Sequence, residues 1–241
     1  MLGDGSRARA FRLLDEMGLL VHVLPEVAAC RGVLQPTDYH PEGDVLVHSM
    51  LALEKLPPDA SDDAAWATLL HDIGKPGTFS QETGRIRFIG HSELGAEMAE
   101  VIAERLRFSK ASRERVAWLV RRHLHPRDAP QMRRSTLRRL LAEPWLADLL
   151  VVAHADALAG SGDVSHLEFI EQARAEIGDA LPPPFITGAD LRDAGLPAGR
   201  AFGRILERIR TEQLEGTLAT REEALARAAE LVAAEPLDGT P

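Results

Sequence analysis

The sequence holds a single cysteine, Cys30, in 241 residues, so no disulfide can close within it and a reducing cytoplasm is the expected setting. Flanked by Ala28 and Ala29, that cysteine reads as a small buried hydrophobe. No uninterrupted apolar run reaches the roughly 18 residues of a membrane span. The opening Met1-Leu-Gly-Asp-Gly-Ser-Arg7 lacks the apolar core of a secretory leader. Positive charge is in deficit: 28 Lys and Arg stand against 37 Asp and Glu, a formal −9. That balance argues against broad electrostatic capture of nucleic acid and leaves only a local basic patch for such contact. There is no internal repeat, no low-complexity tract, and little strand-type alternation.

What is present is a globular balance, 45% apolar and 27% charged, in a chain long enough for one large domain or one domain with a small appendage. Helix-period patterns dominate. Phe11, Leu13 and Leu14 open an amphipathic segment that stops near Met17-Gly18. Leu46, Met50 and Leu53 mark a second, after the Pro41-Glu42-Gly43 turn. Ala65, Leu69, Leu70 and Ile73 mark a third, with Ser61 or Asp62 as its cap. Leu94, Met98, Ile102 and Leu106 form a fourth, with Ser92 as its expected cap. Val116, Leu119 and Val120 form a fifth; Leu146, Leu149, Leu150 and Ala153 a sixth; Phe169, Ala173 and Ile177 a seventh. Thr78-Phe79 and Arg85–Ile89, on either side of Glu82-Thr83-Gly84, predict one small hairpin. The expected class is all-α, a helical bundle with that one hairpin. Pro182-Pro183-Pro184 cannot continue a helix and favours an extended connector. It separates residues 1–181 from a helical extension, residues 185–241. In the extension a short helix starts near Thr187 or Asp190, and longer ones run from about Pro197 to Glu215 and from Arg221 to Ala234.

Nine histidines are not scattered at random along these patterns. His71-Asp72 alone says little, because such a dipeptide arises often by chance. Its setting, Trp66-Ala-Thr-Leu-Leu-His-Asp-Ile-Gly-Lys-Pro76, is sharper. An apolar helix ends in two ligand-type residues, and Gly74 and Pro76 break it. Lys75 follows His71 by four and Asp72 by three, offsets that share a helix face. Asp156 follows Leu149, Val152 and Ala153 at seven, four and three, on the apolar stripe of its helix. A carboxylate there needs a cation or several donors; a helix–helix hydrogen bond or ion pair would serve as well as a metal. His123 has the same offsets from Val116, Leu119 and Val120, and a satisfied core histidine is its simplest reading. His48 taken singly is a partly exposed helix histidine, and His91 a loop histidine ahead of a helix. Taken as a set, imidazoles and carboxylates on facing helices are a way to build a metal site in a helical core. The nitrogen and oxygen mixture suits Mn, Fe, Co, Ni or Zn better than Ca, with Mg also admitted.

The series His48, His71-Asp72, Asp156 resembles the H…HD…D signature of HD-type metal-dependent phosphohydrolases, with spacings of 23 and 84 residues that fit such a core. His91 and His123 fall where two-metal branches of that superfamily place extra histidines. Tyr39–His48, Arg87–His91, Arg115–His123, Thr187–Leu191 and Pro197–Leu206 are similar to the HD half and tail of bacterial tRNA nucleotidyltransferases. The nucleotidyltransferase head of those proteins has no counterpart here: Gly5-Ser6 leads into arginines with no acidic pair on a strand, and a free-standing HD unit is expected. The resemblance implies a phosphodiesterase or phosphatase acting on 2′,3′-cyclic nucleotides or RNA 3′ ends, with one or two ions. His48, His71, Asp72 and Asp156 would take the first ion; Asp72, His91 and His123 the second. Lys75 would neutralise charge on phosphoryl oxygens, unless it is only a surface lysine at a helix end. His40, Glu42 and Asp44 would line the pocket or form a solvated acidic loop. Arg200, Arg204 and Arg208 form a basic stripe for RNA or, with Glu207 and Glu212, a solvated helix face. A different reading is a tRNA-binding module that assists a separate nucleotidyltransferase. A signalling nucleotide hydrolase is a third, although no Gly-Tyr-Pro triplet follows the site.

Overall fold

The helices that start at Val45, Asp62 and Lys110 begin where a short polar side chain meets an orphaned first-turn amide. Asp44 accepts from Val47, Ser61 from Ala64 and Ser109 from Ser112. The computed structural model describes residues 6–36, 43–195 and 200–234. The chain runs α1 (Arg7–Glu16), α2 (Leu20–Val23), α3 (Pro25–Ala28), α4 (Val45–Lys55), α5 (Asp62–Leu70), α6 (Lys75–Thr78), β1 (Ser80–Glu82), β2 (Arg85–Arg87), α7 (His91–Arg105) and α8 (Lys110–Arg122). It continues as α9 (His125–Asp128), α10 (Arg134–Leu141), α11 (Leu146–Ala159), α12 (Ser165–Ile177), α13 (Gly188–Asp193), α14 (Arg200–Glu215) and α15 (Arg221–Ala234). The only sheet among the described residues is the antiparallel β1–β2 hairpin, with Gln81 opposite Ile86. The all-α expectation therefore holds. Among the described residues no helix is long and apolar enough to cross a membrane.

Two details differ from the sequence reading. Thr78 does not enter the hairpin; it closes the one-turn α6, where its hydroxyl donates to the Gly74 carbonyl. Ser92 does not cap α7: Gly90, at φ +80°, occupies that place, and His91 is the first helical residue.

Two compact units form. The first comprises residues 1–130 and 144–172. Its centre is α4, α5, α8 and α11, with α7 packed along α8. Leu53, Leu69, Leu119, Leu149 and Val152 are buried there almost completely, each contributing on the order of 1.5–3 kcal/mol of apolar burial. Asp148 of α11 accepts from the Ser61 hydroxyl and pairs with Arg115 at 2.6 Å, so the starts of α5 and α11 and the middle of α8 are tied together.

The second unit comprises residues 131–143 and 173–241. The division falls inside α12, ahead of the proline triplet. The triplet belongs with the tail for a physical reason: prolines offer carbonyls but no N–H, and α14 supplies the donors. Arg210 donates to Pro182 at 2.6 Å and Gln213 to Pro183 at 2.8 Å. Ile186, Leu191, Ile205, Ile209, Ala224 and Leu231 make this unit's core. Helix α10 joins α14 through a polar ladder: Glu215 accepts from the Ser135 hydroxyl and amide, and Arg139 binds Thr211 and Glu207.

Leu149 lies two turns before Asp156 on α11 and is fully buried. Leu149→Ala is expected to cost about 2–5 kcal/mol, read as a lowered urea midpoint with an unchanged slope.

Candidate metal centre

Five helices deliver the site. His48 lies one turn into α4, its amide bonded to the Asp44 carbonyl, and is wholly buried. His71 caps the C-terminus of α5, and Asp72 opens the turn that follows. His123 caps the C-terminus of α8. His91 begins α7, and Asp156 comes from the middle of α11. His71, Asp72 and His123 are each at most 2% exposed.

The approach of α7 depends on Gly74. A Cβ there would collide with the His91 carbonyl oxygen and lie 2.7 Å from the Gly95 nitrogen. The absence of a side chain lets the turn after Asp72 rest directly on the first turn of α7, which sets His91 beside Asp72.

Three of the histidines use one device. The Nδ1 of His71 donates to the Thr68 carbonyl at 2.7 Å, that of His91 to Phe88 at 2.8 Å, and that of His123 to Val120 at 2.7 Å. A carbonyl only accepts, so Nδ1 carries a hydrogen, and in a neutral ring Nε2 is then the atom that presents a lone pair. Those Nε2 atoms point inward. His91 Nε2 and His123 Nε2 stand 3.4 Å apart, two lone pairs facing each other. His71 Nε2 is buried and makes no hydrogen bond among the described residues.

The carboxylates complete two triads whose ligand atoms lie within 4.8 Å of one another: His48, His71 and Asp156, and Asp72, His91 and His123. Asp156 Oδ1 is 2.8 Å from His48 Nε2 and 3.7 Å from His71 Nε2. Asp72 stands between the groups. Its Oδ2 faces His71 Nε2 at 3.2 Å and His48 Nε2 at 3.9 Å; its Oδ1 faces His91 at 3.5 Å and His123 at 3.9 Å. Asp72 Oδ2 lies 2.7 Å from the Lys75 ammonium, yet without the angle of a hydrogen bond.

Protonation follows from this packing. Burial, then the neighbouring His71, pushes His123 down to about 4. Burial likewise lowers His91. For Asp72 burial works upward, but His71 and Lys75 outweigh it and hold the carboxyl well below its usual range. Asp156 is also held low: burial opposes, and the bond from His48 prevails. Imidazole nitrogens, two of them on histidines whose pKa is held low, converging with ionised carboxylates are a donor set suited to a divalent transition metal. The orphaned His71 Nε2 and the facing His91 and His123 lone pairs fit such an ion.

Lys75 joins the cluster, although it is only 6% exposed. Its ammonium is directed at Asp72, at the Gln35 carboxamide oxygen, and at the face of Phe88. Arg204 is exposed on α14, in the second unit. His40 and the side chain of Arg200 lie outside the described residues. Sequence reasoning missed Gln35, because a single amide in an unpatterned loop carries no signal. It also missed the basic run on α10, where Arg133 and Arg134 are exposed and Arg138 and Arg139 half-buried; the pattern was visible as four arginines in seven residues.

The family described as HD domain matches residues 37–161. The chain is similar to a CC-adding tRNA nucleotidyltransferase of Thermus thermophilus, 39% identical over 227 residues, covering 91% of this chain and 52% of that protein. It is similar to an A-adding tRNA nucleotidyltransferase of Deinococcus radiodurans, 35% identical over 243 residues, covering 94% and 55%. A multifunctional CCA protein of Alkalilimnicola ehrlichii is 40% identical over 155 residues, 61% of this chain and 37% of that one. The chain thus spans about half the length of the first two of these curated relatives.

Gly74→Ala is expected to push α7 off the Asp72 turn at a cost of about 1–3 kcal/mol. Thermal unfolding would read the loss, and metal titration a weaker affinity. The pH dependence of the metal-free protein has a definite sign. His123 has a lower pKa folded, about 4, than unfolded, about 6.5. The unfolded chain therefore binds the extra proton between these values, and stability falls as pH drops from about 6.5 towards 4. In chelator, urea midpoints should decline across that window, and His123→Leu should flatten the decline.

Proposed function

The chain belongs to the HD domain family, and on that premise we propose that it is a metal-dependent phosphohydrolase acting on nucleotides, with 2′,3′-cyclic nucleotides or RNA 3′-end phosphates as its substrate class. The observation that carries the reading is the convergence of Nε2 lone pairs on both oxygens of one buried carboxylate. His48, His71, Asp72 and Asp156 would hold a first ion; Asp72, His91 and His123 would hold a second. Mn, Ni, Co, Fe or Zn suits these donors, with Mg admitted. A divalent ion bound there supplies Lewis acidity towards a phosphoryl oxygen and lowers the pKa of water towards about 7.

The protein's own residues do the rest. The Nδ1 bonds to Thr68, Phe88 and Val120 hold three imidazoles in the ligand tautomer, so no ring must rotate when substrate arrives. Lys75 keeps Asp72 ionised and offsets negative charge at the Oδ2 edge. Residues 1–181 would carry this chemistry. On the sequence alone, His40, Arg200 and Arg204 stand as candidates for contact with the substrate. The tRNA nucleotidyltransferase relatives favour an RNA end over a free signalling nucleotide.

A second reading has its own support. The same relatives align with 91% and 94% of this chain, and Arg133, Arg134, Arg138 and Arg139 gather on α10. A tRNA-binding module that assists a separate nucleotidyltransferase would use those arginines and leave the metal centre with little turnover.

One experiment separates the two. Hydrolysis of 2′,3′-cyclic AMP, 3′,5′-cyclic AMP, AMP isomers and an aryl phosphate is measured with Mn, Ni, Co and Mg. The hydrolase reading predicts turnover of the 2′,3′-cyclic substrate that Asp72→Ala lowers by more than the ~10–100-fold of an outer-shell change. A tRNA gel shift lost in Arg133→Ala/Arg134→Ala, with no turnover under any metal, would favour the binding module instead.

A further inference from the structure

Gln35 is 3% exposed and sits just outside the stretch that matches the family. Its backbone N–H donates to the Gly43 carbonyl at 2.9 Å, and the adjoining Leu34 pairs with Asp44 in an isolated bridge. The residue is therefore held by the backbone at the foot of α4. Its side-chain oxygen accepts from Lys75 Nζ. An ammonium group only donates, so the carboxamide must turn its oxygen to Lys75 and its NH2 group away. That NH2 is buried and has no hydrogen-bond partner among the described residues. A buried unpaired donor costs about 1–3 kcal/mol, so as packing alone a methionine would serve better here.

The Lys75 ammonium faces three groups: it donates to Gln35 Oε1, forms an ion pair with Asp72 Oδ2 at 2.7 Å, and lies 5.4 Å from the centroid of the Phe88 ring. Asp72 Oδ2 is also the oxygen that faces His71 and His48. A cation at the His48–His71–Asp156 triad and the Lys75 ammonium thus compete for one oxygen atom. Whatever share of the ammonium Gln35 draws off, Asp72 retains for the cation.

We propose that Gln35 is a positioning residue of the metal centre: it holds the Lys75 ammonium partly off Asp72, so that Oδ2 stays available to a metal ion. This inference rests on the metal-centre reading above. Gln35 acts through Lys75, to which its side-chain oxygen is bonded.

The test is a Co2+ titration of the full chain, followed by the visible absorption of the bound ion. Wild type is compared with Gln35→Met, Lys75→Met and the double variant, each shown folded by circular dichroism. Gln35→Met is expected to weaken Co2+ binding about tenfold or more, because Lys75 then grips Asp72 alone. In the Lys75→Met background the same change is expected to have no effect on Kd. Gln35→Glu, which keeps the shape and draws Lys75 away, is expected to tighten binding. An unchanged Kd in Gln35→Met, an equal loss in both backgrounds, or weaker binding in Gln35→Glu would overturn the role of Gln35. Failure of the wild-type protein to bind Co2+ would instead overturn the metal-centre reading beneath it.

Discussion

Two ionised carboxylates and four imidazoles converge in one cluster, and among the described residues Lys75 is the fixed cation that faces them. Charge removed from water must be matched nearby, or the fold bears several kcal/mol for each unpaired group. Here the match is incomplete. His71 Nε2 has no hydrogen bond among the described residues, and the inward atoms of His91 and His123 repel as two lone pairs 3.4 Å apart. The surrounding packing forces these groups together all the same. The helices, caps and glycine contacts of the first unit can be understood as the scaffold that holds an electrostatic deficit open for a cation.

The scaffold relies on helix ends. His71 and His123 occupy C-caps, where the carbonyls of the last turn lack intrahelical partners. A carbonyl three residues back then binds Nδ1, which satisfies the helix end and orients the ring at once. His91 is oriented from the other side: it begins α7, and its Nδ1 donates back to the Phe88 carbonyl. Gly74 and Gly95 let that helix lie against the Asp72 turn. The ties of Asp148 to Ser61 and Arg115 keep α5, α8 and α11 in register. The same residues therefore end helices, fill the core and aim ligands.

Much of the helical pattern was legible in the sequence because apolar periodicity is a local signal, whereas His48 and His91 joined the ligand set only through the resemblance to the HD signature. Apolar periodicity marked α4, α5, α7, α8 and α11, and the inward offsets of Asp156 and His123 followed from it. Burial was less legible. His48, taken singly as a partly exposed histidine, is wholly buried, because α11 covers the face of α4 that carries it. The start of α7 was misjudged because Ser92 has the composition of a cap, whereas the tight turn at Gly90 needs a positive φ. Gln35 could not be found at all: it reaches Lys75 across 40 positions of chain, and only the folded loop brings them together. The tail shows the same limit. Its helices were readable, but the pairing of α10 with α14 through Ser135, Arg139, Glu207 and Glu215 is a tertiary fact.

The central claim, that the two triads form a metal centre, is tested most directly by an anomalous-scattering map from crystals grown with Mn2+. The account predicts a peak within coordination distance of the Nε2 atoms of His48 and His71, beside Asp156, with Asp72 as a further ligand. A second peak would lie between Asp72, His91 and His123. A well-ordered site with no anomalous density among these residues, while Mn2+ is bound elsewhere on the chain, would contradict it.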